Sequence, residues 1–307
     1  MSLRIIGAEV EPRLTWDGLT AALEAGHRRP RAQIRDMVLY RGGDTLLNRA
    51  AWIDGLGQLV KVATVFAGNG ALGLASVNGA VTLYNDQTGM LTALVDFHLV
   101  TRWKTAGDSL LSAKRLARRE SRRILLVGAG TVARSMVDGY GSLFPQAEIT
   151  VWSRNRAHAE AMGLSMGVRV ADDLEAAVRG ADIICTATMA SEPLIKGAWL
   201  QPGQHLDLIG AYTPAMREVD DEAMAMARVF VDSRATTIGH IGELIEPIKS
   251  GAMSEADVIA DFYDAPAQYA RRSQTEITIA KNGGGAHLDL MTADYIARMA
   301  DAGVGSA

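Results

Sequence analysis

The sequence predicts an α/β protein in two parts, and three observations carry that prediction. Residues 123–155 run from an apolar segment, Ile124 to Val127, through Gly128-Ala129-Gly130 into an amphipathic stretch and on to a second apolar segment, Ile149 to Trp152. This succession reads as strand, glycine turn, helix, strand. Residues 34–95 instead hold short β-rich segments separated by glycine turns, which imply a mostly antiparallel sheet or barrel-like unit. The length of 307 residues also favours two domains over one core.

Bulk properties narrow the function. A hydrophobic content of 48% with 21% charged residues is that of a globular protein, and a net charge of −4 argues against a nucleic-acid surface. Arg115, Arg118, Arg119, Arg122 and Arg123 cluster locally, but cations at the end of a helix complement its dipole. The only cysteine, Cys185, lies in the apolar run ADIICTAT and reads as a buried strand residue. Neither a signal-peptide core nor a run of about 18 apolar residues is present, so a cytoplasmic protein is expected. His240, His287 and Asp289 lack metal-ligand spacing, and no metal is expected.

Taken in order, Thr15 caps a helix over 15–29, with Trp16, Leu19, Ala22 and Leu23 on its apolar side. Strands follow in IRDMVLY, TLLNRAAW, QLVKVATVF, GLASVNGAVTLYN and MLTALVD. Residues 100–119 return to helical spacing and lead to the Gly128 turn. Beyond the second strand, helices at 157–162 and 172–179 alternate with strands at 182–188, 205–210 and 229–232, the pattern of a parallel sheet covered on both faces. Residues 240–272 read as helical and polar, and three glycines precede a final amphipathic helix.

The glycine turn points to a Rossmann dinucleotide site. In G-x-G-x-x-A, Gly128 permits the tight turn, Gly130 lets a pyrophosphate approach the backbone, and Ala133 lets helix and strand pack closely. Ala129, Thr131 and Val132 complete the turn and the helix start, whose free N–H groups favour an anion. In NAD-preferring proteins a carboxylate ends the second strand; here that end reads Ser153-Arg154-Asn155. Ser153 and Asn155 can hydrogen-bond a 2′-phosphate and Arg154 can pair with it, so NADP(H) is favoured and NAD(H) is the other option. A solvated loop cation is the competing reading of Arg154.

Several segments together resemble the ornithine cyclodeaminase/mu-crystallin family: LVKVATVFAGN (59–69), the stretch 88–117, the glycine turn, 181–220 and the C-terminal GGGAHLDL. The resemblance covers nearly the whole chain. It implies a homodimer in which residues 1–118 with 288–307 dimerise and bind substrate, and 119–287 form the Rossmann domain. It also implies amino-acid or cyclic-imine chemistry with a nicotinamide cofactor, and further cofactor contacts at Thr186, Ala187, Thr188, Gly210 and Asn282.

On the substrate side, period-2 alternation places Lys61 on one face with Leu59, Ala63 and Val65, where an ammonium must find an anion or reach water. The resemblance makes Lys61 a ligand for the substrate carboxylate. It places the family's R-T-A-A-x-S arginine at Lys104, within Lys104-Thr105-Ala106-Gly107-Asp108-Ser109, which keeps a point charge but loses the bidentate fork. A surface ion pair with Asp108 is the alternative for Lys104. A further family arginine falls on Arg35, with Arg31 or Arg41 as alternatives. Where cyclodeaminases carry an aspartate, this chain has Tyr212, either a proton donor or a pocket wall. Cyclodeamination needs repeated proton transfer near neutrality, which a carboxylate serves and a tyrosine of pKa ~10 does not. The leading reading is therefore a ketimine reductase or an enzyme interconverting amino acid and imino acid. The alternatives are ornithine cyclodeaminase and a non-catalytic NADPH-dependent ligand-binding protein.

Overall fold

The computed structural model describes residues 3–302. Its elements in chain order are β1 (Arg4–Ile6), α1 (Trp16–His27), β2 (Gln33–Arg41), β3 (Asp44–Ile53), β4 (Gly57–Val65), β5 (Val77–Tyr84), β6 (Leu91–Asp96) and α2 (Phe97–Leu116). Then come β7 (Arg123–Val127), α3 (Thr131–Leu143), β8 (Glu148–Trp152), α4 (Arg156–Met166), β9 (Arg169–Val170), α5 (Leu174–Gly180), β10 (Ile183–Thr186) and β11 (His205–Leu208). The remainder are α6 (Asp221–Met226), β12 (Arg228–Val231), α7 (Arg234–Thr237), α8 (Gly242–Ser250), β13 (Thr278–Lys281) and α9 (Ala286–Ala302). Among the described residues, no helix is long and apolar enough to cross a membrane.

The chain divides into two compact units, one ending at Lys104 and regaining the chain at Gly285, the other spanning Thr105–Gly284. The first boundary falls inside the continuous helix α2.

The first unit is a six-stranded sheet in the order β1-β6-β5-β4-β3-β2, antiparallel except for β1 on β6. On β4 the alternation is clean: Leu59, Lys61 and Ala63 are buried between half-buried neighbours, while Val65 at the end is exposed. Helix α9 packs over β3 and β4 and is buried along almost its whole first three turns, so it is a core helix and not an amphipathic surface one. Thr15 caps α1 as its sequence position predicts, accepting from the Gly18 N–H at 3.0 Å. The Tyr295 hydroxyl on α9 accepts from the Thr15 N–H at 2.9 Å, tying α9 to that cap. At the sheet edge, β2 exposes side chains on both faces, including Met37 (53%), Leu39 (53%) and Tyr40 (77%).

The second unit is an all-parallel sheet in the order β12-β13-β11-β10-β7-β8-β9. Every residue of β10, β11 and β13 is buried, as expected of strands covered on both faces. Order reverses between β7 and β10, and the crevice beyond their carboxyl ends is where open α/β sheets take ligands. Cys185 sits buried and unbridged in β10. Strand β13 has no signature in the sequence, since four residues, Thr-Ile-Ala-Lys, have no readable period. Residues 240–272 are also not one helix. Only Gly242–Ser250 is helical; Gly251 in the left-handed region (φ 81°) ends it, and a 3-10 turn at 255–257 follows.

A polar cluster crosses this core. The Tyr140 hydroxyl donates to Asp207 at 2.6 Å, and the Asn282 amide donates to Asp207 and to Ser109, both at 2.9 Å. Burial pushes the Asp207 carboxyl up to about 6 despite these donors. Tyr140→Phe removes one charge-assisted donor from a carboxylate that water cannot reach, and is expected to cost about 1–3 kcal/mol in urea unfolding at neutral pH. An unchanged midpoint would show that the cluster does not depend on that bond.

Candidate functional site

The candidate nucleotide site is built at the carboxyl ends of β7, β8, β10 and β11. Gly128 has φ 118°, and a Cβ there would stand 2.5 Å from the Ala187 carbonyl oxygen, so two strand-end loops meet at a point that only glycine permits. Gly130 is open, with nothing within 4 Å of where a Cβ would stand, and no side chain caps the N-terminus of α3 behind it. Thr131 and Val132 are exposed at that helix start, Ala129 is half-buried, and Ala133 is fully buried against the sheet. The turn thus offers backbone N–H groups to an anion at an unobstructed helix end. These residues fit a dinucleotide pyrophosphate.

After β8, Ser153 is half-buried and Arg154 is exposed. Asn155 serves the fold, because its side-chain oxygen caps α4, accepting from the Ala157 N–H at 3.1 Å. Its amide nitrogen faces His158 at 3.4 Å, so Ser153 and Arg154 are better placed than Asn155 to meet a phosphate.

The loops after β10 and β11 are joined by a carboxylate that no sequence motif announces. Glu218, fully buried, accepts from the Thr188 N–H (2.9 Å) and hydroxyl (2.7 Å) through one oxygen, and from the Gly210 (2.9 Å) and Ala211 (3.2 Å) N–H groups through the other. Glu243 accepts from the Glu218 and Val219 N–H groups, at 2.9 and 3.0 Å. The Lys281 ammonium donates to the Leu208 and Ala211 carbonyls, each at 2.7 Å. Thr186 is buried, and the Ala187 N–H continues the ladder to the Val127 carbonyl at 2.8 Å. Asn282 is 2% exposed and directs its amide into the Asp207 cluster, so it supports the strand end from within the core and does not offer that amide to a cofactor. The glycines after it are pinned by Asp232, which accepts from the Gly283 (3.0 Å) and Gly284 (2.6 Å) N–H groups. Tyr212 is 62% exposed in the loop beyond β11.

The candidate substrate-binding residues lie in the first unit. The Lys61 ammonium donates to Asp289 and to the Thr101 hydroxyl, both at 2.8 Å, and stands 4.9 Å from the Phe97 ring centroid. The anion that the alternation of β4 demands for Lys61 is therefore already supplied, by α9. Burial pushes the ammonium's pKa down, with Asp289 opposing. Burial disfavours ionised Asp289 as well, but the Lys61 and Lys104 charges hold it below the usual carboxylate range. His287, at the start of the same helix, is held well below the ordinary imidazole range by burial and by the charges of His27, Lys104, Arg49 and Arg31.

Strand register corrects the placement of Arg35. Asp36 pairs with Arg49 and Arg49 with Lys61, so these three share one face, whereas Arg35 pairs with Ala50 and lies on the other. Arg35 is exposed and donates to the carbonyl of its neighbour Ile34 at 2.8 Å; it does not converge with Lys61 within the subunit. Arg41 shares the parity of Arg35. Asp108 is fully buried and is not a surface group. The residue that does join Lys61 is Arg49, legible only once the pairing of TLLNRAAW with its neighbours is known.

Glu243 gives the loop framework around Glu218 a pH dependence. Burial and the adjacent Glu218 charge raise its carboxyl from 4.5 to about 7. A folded-state pKa above the unfolded one means that the contribution to stability is complete below 4.5 and is lost as the pH rises through about 7. Thermal unfolding of wild type across the interval from acid to mildly alkaline pH is expected to weaken through neutrality, and Glu243→Gln, permanently neutral, is expected to flatten that decline. Parallel curves would contradict the assignment.

The sequence profile of the ornithine cyclodeaminase/mu-crystallin family matches residues 54–303. The chain is 50% identical over 295 residues to the Delta(1)-pyrroline-2-carboxylate reductase of Paracoccus denitrificans (strain Pd 1222), covering 94% of this chain and 93% of the relative. It is 32% identical over 238 residues to the ketimine reductase mu-crystallin of Mus musculus, covering 77% of this chain and 74% of that one. An archaeal alanine dehydrogenase dimer with bound NAD is similar in structure, with a TM-score of 0.88 at 26% identity over 99% of this chain and 98% of the other.

Proposed function

The chain belongs to the ornithine cyclodeaminase/mu-crystallin family, and from that premise we propose that it is an NAD(P)-dependent reductase of a small cyclic imine carrying a carboxylate, Δ1-pyrroline-2-carboxylate foremost. The observation that carries the reading is the 50% identity, across 94% of the chain, to a reductase of that compound. The Tyr212 position supports it from the chemistry. A cyclic imine arrives with its nitrogen available for protonation, and the iminium is itself the electrophile, so one hydride completes the amine. No carboxylate is needed at Tyr212 for that single step.

The reduced nicotinamide supplies the hydride when bound, and the protein's part is placement. The Gly128 turn and the open end of α3 hold the pyrophosphate, and Glu218 fixes the Thr188 and Gly210-Ala211 loops at the strand ends. Lys61 attracts the substrate carboxylate, with Lys104 adding positive potential. In this reading the unit around the six-stranded sheet binds substrate and dimerises, and the parallel-sheet unit binds the nucleotide.

NADPH is the proposed electron donor, since no carboxylate follows β8 and Arg154 is exposed beside Ser153. Purified protein is expected to oxidise NADPH with Δ1-pyrroline-2-carboxylate and not to form proline from ornithine with NAD⁺. Arg154→Ala should weaken NADPH binding by about tenfold and leave NADH binding unchanged, as the loss of one charge-assisted contact to phosphate. Tighter binding of NADH by wild type would reverse the cofactor assignment; proline from ornithine would overturn the reductase reading; and no turnover with any cyclic imine would favour a binding protein.

A second copy of the chain is the proposed partner. An edge strand with Met37, Leu39 and Tyr40 exposed on both of its faces leaves apolar surface that a lone subunit does not cover. Sedimentation should give a dimer, and Leu39→Asp with Tyr40→Asp should shift it toward monomer. A wild-type monomer at micromolar concentration would refute this.

A further inference from the structure

We propose that Arg49 on β3 is the residue that orients the substrate carboxylate in this chain, supplying the guanidinium fork that Lys104 cannot. The inference rests on the reading of the substrate as an imine carboxylate and adds the residue that fixes its orientation.

Register sets Arg49 beside Lys61. It lies directly opposite Lys61 in the β3–β4 ladder, and opposite Asp36 in the β2–β3 ladder. Residues paired in this way project from the same face of the sheet, roughly 5 Å apart from strand to strand. That face is the one covered by α9, which carries Asp289 and His287. The Arg49 charge is felt at Lys61, at Asp289 and at His287, so these groups form one electrostatic neighbourhood.

The two cations use their donors differently. Lys61 has three N–H bonds and directs them at Asp289 and Thr101, leaving one. An ammonium with one remaining donor attracts a carboxylate without setting its plane. On Arg49, by contrast, a single oxygen of Asp36 accepts from Nε (2.9 Å) and lies 2.8 Å from Nη2, which fixes the guanidinium plane. Three of the five N–H bonds lie outside that pair, enough for a bidentate contact. The Arg49 side chain is 26% exposed, shielded from bulk water yet reachable by a small ligand.

Charge balance points the same way. Lys61 is matched by Asp289 and Arg49 by Asp36, while Lys104 adds positive charge to the same neighbourhood. His287 is kept neutral there. The excess is positive and partly buried, the condition in which an incoming carboxylate is stabilised rather than repelled.

The test uses the NADPH-loaded protein with two planar probes of equal shape, pyrrole-2-carboxylate and the neutral pyrrole-2-carboxamide, measured by calorimetry beside steady-state kinetics. Wild type should bind the carboxylate at least about tenfold more tightly than the carboxamide, the size of effect expected from one charge-assisted bidentate contact. Arg49→Met should erase that preference and raise KM for Δ1-pyrroline-2-carboxylate by about tenfold or more, with NADPH affinity unchanged. Lys104→Arg added to Arg49→Met should restore much of the loss, because the fork returns from the neighbouring position. Arg49→Lys, which keeps the charge beside Asp36, should fall between wild type and Arg49→Met, and it serves as the reading if Arg49→Met does not fold. A preference retained in Arg49→Met, or full wild-type behaviour in Arg49→Lys, overturns the role of Arg49 alone. A wild type that does not distinguish the two probes overturns both this inference and the imine-carboxylate reading beneath it.

Discussion

The loops at the candidate nucleotide site depend on one buried carboxylate, Glu218. Its two oxygens take the backbone N–H groups of Thr188, Gly210 and Ala211 together with the Thr188 hydroxyl, and so lock the ends of two neighbouring parallel strands to one charge. A strand end leaving a parallel sheet loses its ladder partners, and its N–H groups must be satisfied elsewhere or solvated. Satisfying them with a carboxylate from a later segment fixes the loops where they leave the sheet. The same carboxylate explains why Gly210 is glycine, since a Cβ there would stand 2.4 Å from a Glu218 oxygen and 2.3 Å from the Thr188 backbone. Glu243 and Lys281 extend the arrangement, one gripping the backbone beneath Glu218 and the other the carbonyls of the β11 loop.

The cluster around Lys61 uses buried charge to a different end. In the parallel-sheet unit the charges are directed at the protein's own backbone, and the result is rigidity. Around Lys61 the ion pair with Asp289 satisfies the most buried members but leaves Lys104 and much of the Arg49 guanidinium available. Breaking a buried pair costs about 3–5 kcal/mol, whereas the desolvation of an anion added beside an excess of cations is offset by their attraction. Asp289 therefore serves two purposes. It keeps Lys61 ionised inside the sheet, and it prevents the cluster from being so positive that the fold suffers without ligand.

What the sequence discloses follows from which constraints are local. The Gly128 turn is local: a strand, a tight turn and a helix within a few residues demand glycine for reasons of φ and close approach, and the structure places it at the reversal of strand order. The Thr15 cap, the strands of the first sheet and the burial of Lys61 are local in the same sense. That Arg35 lies on the sheet face opposite to Lys61 is not readable, because it depends on register, and a shift of one residue moves a side chain to the other face. Glu218, Asp232 and Asn282 are not legible as loop anchors, since each acts on backbone that is remote in sequence or on the inside of the core. The segment 240–272 misleads for a related reason: its polar residues satisfy turns and ion pairs such as Arg234 with Asp264, not the exposed face of a helix.

The proposed imine reduction would constrain the candidate substrate-binding residues less than a deamination would, and their composition fits that. Reducing a preformed iminium requires one hydride and a held carboxylate, and the nitrogen stays in the ring as an amine without further proton shuttling. A site of that kind needs electrostatic attraction and orientation more than it needs a titrating group. The neighbourhood of Lys61 has that character: lysine and arginine side chains, a carboxylate held below its usual range, and an imidazole held well below its own. Both shifts run away from neutrality, favouring ionised Asp289 and neutral His287 there. An exposed tyrosine at 212 is compatible with that sparing use of acid and base, and a cyclodeaminase's aspartate would be an addition the chemistry does not require.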